Sequence, residues 1–167
     1  MMSEAISIQQ ATAKDIGALI ILYDEFHAFH VRGVPDRLRF PAQTSDEDAA
    51  EVGQSLSDLL KREDAAIFLV RVGETVAGLA EVYIKQDEEH PLTIARRFGY
   101  LQSLIVLESF RKHGLGKLLV EAAKQWAKER GATEMQLDTW EFDAGPLHFY
   151  EHLGYRTLRR HMVAEIE

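Results

Sequence analysis

Apolar residues recur along the chain with two different periods, and the changes of period mark its elements. Ile6 and Ile8 alternate with polar neighbours as a short strand does. Thr12 then precedes Ala-Lys-Asp, a helix-start pattern, and Ile16, Leu19, Ile20, Tyr23, Phe26 and His27 follow at helical spacing. Gly33 and Pro35 end that helix, and prolines 35 and 41 bound a segment that cannot be regular helix. Ser45 followed by Asp46, Glu47 and Asp48 starts a second helix reaching about Lys61. Ala66–Arg71 and Thr75–Lys85 read as antiparallel strands joined at Gly73-Glu74, and a polar loop spans 86–93. Phe98–Leu107 is apolar on both alternating sets, the mark of a strand covered on both faces.

A polar turn, Arg111-Lys112-His113-Gly114-Leu115-Gly116-Lys117, follows, and then a helix carrying the stripe Leu115, Leu118, Leu119, Ala122, Ala123, Trp126 and Ala127 up to Gly131. Glu134–Trp140 predicts a further strand, Pro146 opens a short helix to Leu153, and Tyr155–Ile166 predicts a last strand. The order is β-α-α-β-β-β-α-β-α-β without repeats or linkers, so the chain reads as a single mixed α/β (α+β) domain over residues 1–167.

Composition narrows the functions open to such a domain. The chain has no cysteine, which removes disulfides, thiolate metal sites and a cysteine nucleophile. No apolar run approaches the ~20 residues of a membrane span, and the first residues lack the pattern of a signal peptide. A cytoplasmic protein without membrane contact is the expectation. A formal net charge of −8 argues against a nucleic-acid partner and suits a cationic substrate.

The turn at 111–117 carries the chemistry. Glycines at a helix start expose unpaired amides at the positive end of the helix dipole, a fit for phosphate. The P-loop pattern fails because Leu118 follows Lys117 and Arg111 stands where its first glycine is required; the dinucleotide fingerprint fails at Leu119. What remains, Arg111-x-x-Gly114-x-Gly116 after an apolar strand, resembles the acetyl-CoA motif of the GNAT superfamily of N-acetyltransferases. Asp143 to Tyr155 resembles the second motif of that superfamily: Phe149-Tyr150, Gly154 and Tyr155 match, while Asp143 and Pro146 replace its usual Asn and Ala. Ile6 to Asp15 is similar to the first strand and helix start, so the resemblance covers essentially the whole chain.

The resemblance implies a twisted, mostly antiparallel sheet of about six to seven strands with about four helices, splayed between the strand ending at Val106 and the one near Leu137. Acetyl-CoA would lie in that gap as acyl donor, its pantetheine arm paired with the backbone of Leu104, Ile105 and Val106. Its pyrophosphate would rest on Arg111, Lys112, His113, Gly114, Leu115, Gly116 and Lys117, with Asp143 and Tyr150 nearby. By the same resemblance Tyr150 is the general acid that protonates the leaving thiolate, and a primary amine of a small molecule or peptide attacks directly. Tyr23, Phe26, His27, His30 and Glu81 are the expected acceptor contacts. Relatives carry an acid where this chain has Gln102 or Ser103, which leaves Glu81, Asp138 or Glu141 to act as base through water. The alternative is an acyl-CoA-binding module without transfer chemistry. Homodimers through the first helices or the last strand are common among such proteins. His27/His30 and His148/His152 share helix faces, but no third ligand is evident and no metal is expected.

Overall fold

The computed structural model describes residues 5–42 and 45–166, so residues 1–4, on which part of the signal-peptide expectation falls, lie outside it. Strands β1 (Ile6–Gln10), β2 (Ala65–Val72), β3 (Thr75–Gln86), β4 (Arg97–Val106) and β5 (Glu134–Gln136) form one sheet in the order β1-β2-β3-β4-β5. The first four pair antiparallel and β5 joins β4 in parallel. Helices α1 (Ile16–Gly33) and α2 (Asp46–Leu59) cover one face; α3 (Leu115–Glu129) and α4 (Leu147–His152) belong to the other. Among the described residues no helix is long and apolar enough to cross a membrane.

Strand alternation divides the core between the two faces. Ile67, Leu69, Leu79 and Ile105 point at Leu19, Leu22 and Leu56 of α1 and α2. Ala66, Val70, Ala80, Val82 and Leu101 meet Leu115, Leu119, Ala123 and Trp126 of α3. The buried stripe of α3 includes Val120, while Leu118 is turned outward.

The sheet has five strands where six to seven were expected, and the differences sit at its C-terminal end. The strand expected over Glu134–Trp140 is confined to β5, because β5 follows β4 only from Phe98 to Tyr100 and then parts from it. The strand expected over Tyr155–Ile166 is absent. A strand forms only against a partner, and a three-residue outer strand offers almost no ladder to extend. The segment's apolar positions, Leu158, Met162, Val163 and Ile166, do not alternate either, and they are 69%, 84%, 72% and 98% exposed.

The entry into α1 shows how one buried charge is held. Asp15 accepts from the Thr12 amide (2.8 Å) and hydroxyl (3.1 Å), and Arg71 reaches it across the sheet edge at 2.9 Å. The amide bond, opposed by burial and aided by the Thr12 hydroxyl and Arg71, keeps the Asp15 carboxyl below its usual range. A depressed folded-state pKa stabilises fully above the unfolded value, ~3.9, and that stabilisation is lost as pH falls through the folded value. Asp15→Asn is therefore expected to lower the melting temperature at pH 7, with the difference from the parent protein shrinking below about pH 4; thermal melts across that range check it.

Candidate functional site

The turn between β4 and α3 is built on backbone conformation. Lys112 (φ 65°) and Gly114 (φ 78°) both lie in the left-handed region, which costs a non-glycine residue roughly 1–2 kcal/mol. Arg111 closes a short turn on the Glu108 carbonyl, and the next intrachain amide bond is from Leu118 to Gly114. The amides of residues 112 to 117 thus have no hydrogen-bond partner among the described residues. Six amides in a row at a helix start, with Lys112 and Lys117 alongside, form an anion cradle in an otherwise acidic chain.

Beside the cradle, β4 presents a free edge. Leu107 donates to Ala77 of β3 at 2.9 Å, so in the antiparallel alternation Ile105 and Ser103 also face β3. Leu104 and Val106 face the other way, where β5 has already departed. Of the three residues expected to pair with a ligand, Ile105 has its backbone committed to the ladder. Leu104 and Val106 remain, and the Val106 carbonyl accepts from Arg111 Nε at 2.8 Å. The ladder shifts register at Gln102, the extra residue of a β-bulge.

Helix α4 docks where edge and cradle meet. A Cβ placed on Gly116 would stand 3.1 Å from the Phe149 ring and 3.9 Å from Val106 Cγ2, so any side chain there presses on that ring. Tyr150, next in sequence, is 8% exposed, its ring packed in the α3-side core and 5.6 Å from that of Tyr155. Its hydroxyl bonds to no group among the described residues. Burial, and secondarily Tyr155, push its phenol well above the ordinary tyrosine value, so it stays protonated at neutral pH.

On the opposite face, α1 brings aromatic residues over β3 and β4. Glu81 is 6% exposed, and no cation pairs with it among the described residues. Tyr23 donates to its Oε2 at 2.7 Å, Ser103 to the same oxygen at 3.0 Å, and Tyr83 to Oε1 at 2.5 Å. Burial and the Glu81 charge push both phenols above their ordinary range, so they remain donors. His27 is tied to the Arg39 carbonyl (2.8 Å), and His30 to the Phe26 carbonyl (2.8 Å) with its ring against Phe26 and Phe29. Tyr23 and Glu81, both expected as acceptor contacts, are therefore joined by a hydrogen bond, whereas Phe26, His27 and His30 bond or pack within α1 and the segment after it.

Phe29, Gly33 and Phe142, outside the expected set, meet beside Arg111. The loop after β5 lays Phe142 against Gly33 and Phe29 (ring centroids 5.6 Å apart), and Arg111 lies over Phe29 while pairing with Glu25 at 3.6 Å. These residues, with Arg32, Glu108 and Asp143, line an open cleft of about 800 Å³. Tyr83 was foreseeable, since two-residue alternation puts it on the Glu81 face of one strand. Phe29 and Phe142 carried no sequence signal, because only the tertiary fold makes them neighbours.

The chain is similar to known proteins in sequence and in fold. An aminoglycoside N(6')-acetyltransferase type 1 from Klebsiella aerogenes is 32% identical over 100 residues, 60% of this chain and 64% of that protein, just under two-thirds of its length. The tetramutant of the BH1408 protein from Bacillus halodurans superposes with a TM-score of 0.82 at 23% identity, over 96% of this chain and 99% of that one. AAC(6')-Iy in complex with the bisubstrate analog CoA-S-monomethyl-acetylneamine superposes with a TM-score of 0.72 at 20% identity, over 98% and 99%. These two share the fold. Residues 22–155, from the middle of α1 through α4, match the acetyltransferase (GNAT) family, and with both motifs inside that span the chain belongs to it.

Proposed function

We propose that this acetyltransferase binds acetyl-CoA along the free edge of β4 and transfers its acetyl group to a primary amine of a small polycationic molecule, an amino sugar being the first choice. The observation that carries the donor is the run of six amides at 112–117 without partners among the described residues, an array of donors suited to a pyrophosphate. Leu104 and Val106 supply the backbone edge for the pantetheine arm, and the bound donor contributes an activated thioester. The Tyr150 phenol, kept protonated by burial, gives its proton to the departing sulfur. The amino-sugar choice draws on the named activities of the relatives, and net acidity suits a polycation. The same reading takes the reaction to be cytoplasmic.

Titration with acetyl-CoA by calorimetry is expected to show one site per chain, and free thiol should appear when aminoglycosides are added. Binding without thiol release across a broad amine panel would instead favour an acyl-CoA-binding module. No binding at all would end both readings.

A further inference from the structure

Two acidic side chains are buried among the described residues, and they are held differently. Asp15 has Arg71 as counter-ion. Glu81 has only hydroxyl donors: Tyr23 from α1, Tyr83 from β3 and Ser103 from β4. Its neighbour on β2, Ile67, is apolar, as are the residues α2 brings to that cluster, Leu56 and Leu59. Arg62 stands beyond Tyr83, 5.3 Å from the ring centre, and is already paired with Asp64. One turn along α1 from Tyr23, His27 is bonded to the Arg39 carbonyl.

A buried ion with no counter-ion is a poor device for stability alone, since apolar residues of similar shape serve the fold as well or better. Its place in the sheet suits it to another task. Ser103 stands directly opposite Glu81 in the ladder and one residue before Leu104, the first residue with its backbone on the free edge. The other acids named from sequence are placed differently: Glu141 and Asp138 are solvent-exposed, and Asp138 accepts from Tyr100 at 2.8 Å.

We infer that Glu81 is the proton acceptor for the acetyl-accepting amine, reached through the Ser103 hydroxyl. The inference rests on the transferase reading above. The ammonium nitrogen gives a proton to Ser103 Oγ while the proton already there passes to Glu81 Oε2. The nitrogen keeps the electron pair of the broken N–H bond and attacks with it. Glu81 becomes a neutral acid within its cage of phenols and later releases that proton to water, the net proton of the reaction. The second proton lost from nitrogen balances the one Tyr150 delivers to sulfur.

The test is kcat/KM against pH for the whole protein, with acetyl-CoA and an amine that the parent protein acetylates. Glu81→Gln is expected to lose about 100-fold at pH 7 while its Kd for CoA stays within about two-fold, because Glu81 lies off the cradle. Its deficit should shrink as pH rises towards the pKa of the amine, where no base is needed. Ser103→Ala should show the same pH-dependent deficit, and Ser103→Thr, which keeps a hydroxyl, should recover most of the rate. If Glu81→Gln fails to fold, the two Ser103 variants decide the matter. A parental profile in Glu81→Gln, an equal loss at every pH, or full activity in Ser103→Ala would each overturn the relay. An inactive parent protein would instead fail the transferase reading, so the two failures are distinguishable.

Discussion

Tyr150→Phe is expected to lower kcat by about a thousandfold, ~4 kcal/mol of transition-state stabilisation, while leaving the melting temperature and the affinity for CoA nearly unchanged. The asymmetry follows from where the two ends of the side chain sit. The ring is embedded among core residues of α3 and the sheet, and Phe fills the same volume. The hydroxyl makes no hydrogen bond among the described residues, so its removal leaves no buried partner unsatisfied. On the proposed mechanism, what disappears is a proton donor for a thiolate leaving group, a contribution typically of about 10²–10⁴. The raised phenol pKa also gives a sign: activity requiring the protonated form persists well into alkaline solution and falls only as the phenol ionises. Steady-state kinetics with a thiol reagent, alongside calorimetry with CoA, separate the effects. A kcat within threefold of the parent would make Tyr150 a packing residue.

The sequence was most legible where one element alone carries the information. The α3 stripe, the glycine turn and the capping signals at Thr12 and Ser45 are local patterns, and each element they predict is present. The C-terminal strand was misread because a strand's existence depends on a partner that its own residues do not encode. Tyr155–Ile166 has apolar residues enough, but β5 is too short to offer it a ladder. The free edge of β4 is similar. Leu104, Ile105 and Val106 are all apolar, and only the register against β3 reveals that Ile105 turns its backbone away. The hydroxyl cage of Glu81 joins residues 58 and 22 positions away in sequence, so an isolated reading showed the acid without the reason it is buried. Phe29 and Phe142 are further apart still, and no periodicity links them.

The register of the turn also separates two glycines that the motif treats alike, and Gly116→Val is the second large effect to expect: a CoA Kd raised about 100-fold, ~2.7 kcal/mol. Gly114 is needed for its backbone. Its φ of 78° lies where Cβ is disfavoured, yet nothing stands within 4 Å of the place a Cβ would occupy. Gly114→Ala therefore adds strain of roughly 1–2 kcal/mol without obstructing the cradle, and its affinity should fall less than tenfold. At Gly116 the constraint is the neighbouring ring. Its Cβ position is 3.1 Å from Phe149 and close to Val106, so a branched side chain must push α4 away from the end of β4 or project into the amide cradle. Helix α3 itself should tolerate Val at this first turn, where glycine is the poorer helix former, and the strain falls on the packing of Phe149. Calorimetry with CoA on both variants, with melting curves as controls, distinguishes them. Equal losses of affinity would mean that the cradle depends on backbone conformation alone, whereas a loss confined to Gly116→Val would place the donor's phosphates against the bare face of α3 between Val106 and Phe149.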